Sequence, residues 1–143
     1  MIKRSGGFTL LEIMVVVVII AILASLVAPK ILGRIDDARI TKIKSDLNSI
    51  EAALDLYYLD NSIYPSTEQG LDALVKKPNG FPEPKKYHSG GYLKSLPIDP
   101  WGVPYLYLNP GDDNRPYDIY TLGADGRETG EGMNADIGNW TPK

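Results

Sequence analysis

Gly6-Gly7-Phe8-Thr9-Leu10-Leu11-Glu12 opens a run that continues through Ile13-Met14-Val15-Val16-Val17-Val18 to Ala28, and this stretch decides how the chain is built. From Phe8 there are 21 residues before Pro29, interrupted only by the charge of Glu12. A bilayer core takes roughly 20 apolar residues as helix, so the run is long enough to span. Lys3 and Arg4 precede it, and positive residues stay on the cytoplasmic side. The expected orientation places the first residues in the cytoplasm and everything after Pro29 outside. A secretory signal peptide is the competing reading, because Ala21-Ile22-Leu23-Ala24 has the small-residue spacing of a cleavage site. Against it, the apolar run passes that site and reaches Ala28, and Glu12 sits inside it. A carboxylate in a membrane helix costs about 2.5–3.5 kcal/mol on insertion scales. That cost points to a function for Glu12 and to a partner.

The 143 residues suit one domain. Residues 1–34 carry Lys3, Arg4, Lys30 and Arg34 against Glu12, a net of +3, while the remaining chain carries −6. With no cysteine there is no disulfide, thiolate metal site or thiol nucleophile. One histidine, His88, leaves no two-histidine metal site. A net charge of −3 without a basic stripe argues against nucleic-acid binding. Aromatic and aliphatic residues throughout argue against disorder.

Beyond Pro29, which is expected to kink or locally melt a helix, the pattern becomes amphipathic. Ile31, Ile35, Ala38, Ile43, Leu47, Ile50, Leu54, Tyr57 and Tyr58 mark one face, with a slip between Ala38 and Ile43. A helix is expected over 30–60, ending near Asp60-Asn61. At 1.5 Å per residue, Phe8 to Leu59 spans roughly 78 Å, too long for one small domain to cover. The apolar stem must lie in lipid or against other stems. Glu51 and Asp55 share a helix face. They form a solvated acidic patch or meet a basic residue of a neighbouring copy, for which Lys94 is the candidate.

After the helix, Ser66 or Thr67 can cap a short helix over 67–76, and 77–91 reads as loop. His88 lies there without an assigned role. Tyr92-Leu93 begins an extended segment, and Pro97-Ile98-Asp99-Pro100-Trp101-Gly102 forms a turn. Val103–Leu108 and Tyr117–Leu122 alternate as antiparallel strands, with Trp101 and the tyrosines packing helix against sheet. The expected fold class is α+β: a long N-terminal helix on a small antiparallel sheet. So small a core often needs a staple. The segment from Leu122 to Trp140 offers five glycines between Asp125, Glu128, Glu131, Asn134 and Asp136. Oxygen ligands on a flexible loop suit Ca²⁺, although the spacing is not that of an EF-hand. From composition alone, a calcium site and an acidic surface loop stand level.

The opening motif strongly resembles the type IV pilin and pseudopilin family, whose members carry a short basic leader ending in glycine and then Phe-Thr-Leu-Leu-Glu. The resemblance implies a leader at 1–7 and a prepilin peptidase cut between Gly7 and Phe8, with N-methylation of Phe8. It implies a membrane and filament-core helix at 8–28, with the periplasmic part at 29–143 and the sheet and loop at 92–143. The freed amine of one subunit would then neutralise Glu12 of its neighbour, offsetting the desolvation of both charges. Pro29 matches a family proline where unwinding accompanies assembly.

Further motifs are similar to the major pseudopilins of type II secretion. They are Tyr64-Pro65-Ser66-Thr67-Glu68-Gln69-Gly70-Leu71, Pro97–Gly102, Leu122-Gly123-Ala124-Asp125-Gly126 and Ala135-Asp136-Ile137-Gly138-Asn139-Trp140. That likeness implies a structural calcium ion held by Asp125, the Leu122 carbonyl and Asn134. Gly132 stands where relatives often have an aspartate, so Glu131, a backbone carbonyl or water fills that place. Asp136 either joins the ligands or bonds the loop's own N–H groups.

The implied function is a non-enzymatic subunit of a helical homopolymer that helps move folded proteins across the outer membrane, as piston or as screw. Implied partners are minor pseudopilins and an inner-membrane assembly platform with a cytoplasmic ATPase, since the chain has no Walker motif. The implied location is the inner membrane of a Gram-negative bacterium. A surface type IV pilin is the alternative, disfavoured by the missing cysteine pair. A monomeric anchored enzyme or calcium module lacks a nucleophile–histidine arrangement.

Overall fold

The computed structural model describes residues 7–141, and the side chains at 27–32 also lie outside the description. Lys3, Arg4 and the first six leader residues therefore fall outside the described residues. The chain divides into two units, Met1–Ala38 and Arg39–Lys143.

One helix, α1, is assigned over Leu10–Asn61. Its first turn is closed by Thr9 and Glu12. The Thr9 N–H and Oγ1 donate to Glu12 Oε2 at 2.8 and 3.0 Å, and the Glu12 N–H donates back to Thr9 Oγ1 at 3.2 Å. This reciprocal pair is a capping box, satisfying donors that a helix start leaves unpaired. In the first unit the side chains from Leu10 to Leu26 stand exposed, with Ile13, Val16 and Ile19 each half uncovered. Helical assignment is unbroken through Pro29, where the sequence leads one to expect a break. Proline removes one donor, the N–H that would reach the Ser25 carbonyl, and the flanking turns carry the helix across. Among the described residues, no helix is long and apolar enough to cross a membrane. The span expected over 8–28 therefore stands as a proposal.

In the second unit, Ile43, Leu47, Ile50, Leu54 and Tyr57 are buried, at alternating steps of four and three that keep one helix face inward. Ile35 and Tyr58, expected on that face, are exposed by 43% and 44%, and Ala38 is exposed too. The five-residue step from Ala38 to Ile43 changes the face, so Ile35 and Ala38 do not belong to this core. The helix ends at Asn61, whose side chain is buried. Its Nδ2 donates to the Tyr57 carbonyl at 2.9 Å, and its Oδ1 accepts from the Lys86 N–H at 2.9 Å. Ser62 follows in the left-handed region, φ 60°.

The short helix expected over 67–76 is only a turn followed by a 3₁₀ helix, Leu71–Leu74. Ser66 closes only the preceding turn, accepting from the Gln69 N–H at 3.2 Å while Gln69 Oε1 accepts from the Ser66 N–H at 3.1 Å, and the 3₁₀ helix itself has no side-chain cap. Gly70, at φ 59°, ψ −168°, then breaks the α geometry. Tyr92 and Leu93 form no strand, because both N–H groups go to the Leu74 carbonyl, at 2.7 and 2.9 Å.

The sheet has three antiparallel strands in the order β1 (Leu106–Leu108), β2 (Asp118–Thr121) and β3 (Ile137–Gly138). Leu106 faces Tyr120 and Leu108 faces Asp118 across the first pair. The strand expected from Val103 begins only at Leu106, since Pro104 makes an isolated bridge to Ile98 instead. β3 is too short to show as alternation. Tyr105, Tyr107, Tyr117, Ile119 and Ile137 pack on the helix face. The Tyr105 hydroxyl donates to Asp46 Oδ2 at 2.8 Å and that of Tyr107 to the Pro65 carbonyl at 2.8 Å.

Two buried carboxylates set the turns around β1. Asp99 is 3% exposed. Its Oδ1 accepts from the N–H groups of Trp101 and Val103, and its Oδ2 from Thr121 Oγ1 at 2.6 Å. Asp118 accepts from Arg115 Nε at 2.6 Å, Arg115 Nη2 at 3.2 Å and the Asp112 N–H at 2.9 Å. The Arg115 guanidinium holds the Asp118 carboxyl below its ordinary pKa despite burial.

Replacing Asp99 with alanine strands two N–H groups and a hydroxyl. We expect a loss of about 3 kcal/mol, measured by urea unfolding of a fragment spanning 30–143, with Asp99→Asn losing less. The phenols of Tyr105, Tyr107 and Tyr117 are pushed above the ordinary value of 10.0, chiefly by burial. The folded state then keeps protons that the unfolded chain releases. Their contribution is intact below about pH 10 and declines above it, so unfolding midpoints should fall steadily between about pH 10 and 11.

Candidate functional site

Two places carry the residues with chemical purpose: the start of α1 and the loop between β2 and β3. At the first, Gly7 and Phe8 precede the helix in exposed chain without regular secondary structure, Phe8 being 83% exposed. Glu12 lies on the exposed first turn, and both bonds from Thr9 end on Oε2. Oε1 is thus left for a second donor. Thr9 was not singled out from the sequence, although its place three residues before Glu12 is the capping-box spacing.

The β2–β3 loop closes on itself. The Ala124 N–H donates to the Met133 carbonyl at 2.9 Å. Gly123 and Gly130 both lie against the Asn134 backbone, and a Cβ on either would come within 2.7 and 2.4 Å of it. Both have positive φ, so only glycine serves there without strain. This packing sets Gly123, the residue after Leu122, against Asn134. Asp136 Oδ2 accepts from the Thr129 N–H at 3.0 Å, while Asp136 Oδ1 is buried without a hydrogen-bond partner. An unpaired carboxylate oxygen out of water is costly, and a cation bound there would offset that cost.

Asp125 and Glu131 are exposed, Asp125 Oδ1 accepting from the Arg127 N–H at 3.2 Å. Among the described residues no three acidic or histidine side chains converge as a metal cluster. The residues therefore fit a site built on Asp136, backbone carbonyls and Asn134 more than a carboxylate cage. Burial, and then Glu128 and Asp136, push the Tyr120 phenol upward, so the loop's field reaches the outer face of the sheet.

Glu51 is partly buried and Asp55 exposed on α1. The Tyr64 hydroxyl lies 3.4 Å from Asp55 Oδ1, and both acids raise the Tyr117 phenol after burial has done so. Lys94 is exposed in a bend after Leu93. His88 Nε2 sits 3.3 Å from Asp60 Oδ2 at the helix end, where Tyr92 also donates to Asp60 at 3.0 Å. The sequence offers no pattern that singles out Asp99 or Asp118, since their partners are separated turns and strands.

The family described as Type II secretion system (T2SS), protein G, matches residues 30–140, and the prokaryotic N-terminal methylation motif matches residues 2–28. The type II secretion system core protein G of Pseudomonas aeruginosa is 59% identical over 138 residues, covering 96% of each chain. That of Vibrio cholerae is 58% identical, covering 96% of this chain and 93% of the relative. The crystal structure of the major pseudopilin from the type 2 secretion system of enterohaemorrhagic Escherichia coli matches with a TM-score of 0.68. It is 50% identical and covers 76% of this chain and 92% of that one. An exposed apolar stem, a helix-on-sheet head and these likenesses agree: the chain belongs to the type II secretion system protein G family, structural pseudopilin subunits rather than enzymes.

Proposed function

We propose that the chain is inserted in the inner membrane by residues 8–28, cut between Gly7 and Phe8 by a prepilin peptidase, and methylated at Phe8. It then polymerises, stems inward and heads outward, into a periplasmic filament that helps folded proteins cross the outer membrane. An assembly platform with a cytoplasmic ATPase, and minor pseudopilins, complete the machine. The observation that carries this reading is the apolar face from Leu10 to Leu26, exposed over its whole length and headed by a capped carboxylate. Such a face is costly in water. Lipid first, and then the stems of other copies, would cover it.

In this scheme Glu12 has two successive roles. In the uncut chain it caps its own helix through Oε2. After cleavage the amine on Phe8 of a neighbouring copy reaches Oε1. A paired charge offsets desolvation that a lone one would not. Lys94 of one head facing Glu51 and Asp55 of the next is proposed as a further contact.

The β2–β3 loop is proposed to hold Ca²⁺ through Asp125, Asn134, Asp136 and the Leu122 carbonyl, with Glu131, a backbone carbonyl or water filling the remaining place. Calcium there supplies a structural cross-link. The orphaned Asp136 oxygen supports this reading.

Glu12→Gln keeps the capping geometry and removes the charge. In cells carrying the secretion apparatus, the full-length variant should be processed but yield few sheared filaments. Wild-type filament yield would overturn the charge-pairing role. For the loop, calcium at a hundred times its dissociation constant should stabilise the soluble fragment by about 2.7 kcal/mol. The gain should appear as a higher thermal midpoint that chelator reverses and Asp136→Ala abolishes.

A further inference from the structure

The head is charged unevenly. Between Lys76 and Lys86 stand Lys76, Lys77, Lys85 and Lys86 against Glu83, a net of +3, so the rest of the chain after Arg34 carries −9. This segment forms a finger with Phe81 on it. Phe81 is 93% exposed, the most exposed large hydrophobic side chain among the described residues. Lys76 and Lys85 are exposed and make no ion pair among the described residues, whereas Lys77 pairs with Glu83 at 3.2 Å. The finger is not loose. Gln69 Nε2 donates to the Pro82 carbonyl at 2.9 Å, Pro84 is buried, and the Lys86 N–H is held by Asn61. An open hollow of about 520 Å³, lined by Gln69, Asp72, Lys77 and Phe81, lies beside it.

The finger is tied to the last turn of α1, where Pro82 and Tyr58 share a surface hollow. The acidic β2–β3 loop leads into Ile137 and Asn139, which sit beside Leu47 and Glu51. From Leu47 to Asn61 the helix rises by about 20 Å. One head therefore carries its cationic, aromatic surface and its acidic surface at different heights. The acidic loop has its own aromatic neighbour in Trp140, 39% exposed and packed on Tyr120 at 5.5 Å. Two complementary surfaces set apart on one body make a heterologous contact, the kind that generates open helical assemblies. A polymer of acidic heads must also offset their mutual repulsion, and this finger is the main cationic feature of the head.

We propose that the Lys76–Lys86 finger docks onto the β2–β3 loop of a second copy of this chain, with Lys76 and Lys85 facing Glu128, which lies outside the proposed calcium ligands, and Phe81 facing Trp140. The occupant is argued from charge complementarity, and the proposal rests on the filament reading above. The contact is distinct from that of Lys94 with Glu51 and Asp55.

The chain has no cysteine, so disulfide trapping reads the contact cleanly. Full-length Phe81→Cys and Glu128→Cys copies, co-produced in cells that assemble filaments, should form a crosslinked dimer on oxidation. The double variant should form a ladder of multimers, and neither single variant should crosslink by itself. The charge-reversed Lys76→Glu/Lys85→Glu chain should yield at least tenfold fewer filaments, with Glu128→Lys restoring part of the loss. Filaments that form without any Phe81–Glu128 crosslink would overturn the proposal, as would unchanged yield after charge reversal. A crosslink in the Phe81→Cys single variant would replace head-to-tail docking by self-pairing of fingers and overturn it too. Glu12→Gln serves as the control: filaments unaffected by it would overturn the charge-pairing role, while the crosslink would still report on the finger.

Discussion

Every element of the head depends on one seam of α1. Ile43, Leu47, Ile50, Leu54 and Tyr57 turn a single face inward, and Tyr107 and Ile119 of the sheet, with the flanking Tyr105 and Tyr117, close on it. The three strands together have only nine residues, too few to stand without a helix to cover them. The sheet thus exists because the helix does. The helix in turn gains its rigidity over this stretch from packing rather than from propensity.

Because the core is small and aromatic, polar groups do much of the positioning. Asp99 ties the turn before β1 to the end of β2 through Thr121. Asp118 and Arg115 close the turn between β1 and β2, and Arg115 also lies over Trp140 at 5.3 Å. Asn61 anchors both the last helical turn and the segment that carries the lysine finger. These groups join pieces far apart in sequence. They give the head a definite surface, which a filament subunit needs if identical contacts are to repeat from copy to copy.

The two ends of the molecule solve opposite problems. The stem exposes apolar side chains from Leu10 to Leu26, a surface that the proposed function covers with lipid and then with other copies. The head exposes charge, segregated between a cationic finger and acidic loops. Two carboxylates of the described residues matter here, Glu12 and Asp136. One has an oxygen free beside a helix start, and the other has an oxygen buried without a donor. The proposed function gives each a partner, the freed amine of a neighbouring copy for Glu12 and a calcium ion for Asp136.

The amino-acid sequence by itself determined the stem, the α+β class, the inward positions from Ile43 to Tyr57 and the pairing of the two longer strands. Those features follow from local period and from runs of one polarity, which act between near neighbours. The tertiary structure alone decided where the stripe changes face after Ala38, since only packing distinguishes a buried isoleucine from an exposed one. It also decided that Gly70 cuts the second helix short and that Ile137-Gly138 returns as a third strand. The roles of Asp99, Asp118 and the orphaned oxygen of Asp136 belong there too. A carboxylate's meaning depends on which donors surround it, and here those donors come from turns and strands that sequence spacing does not join.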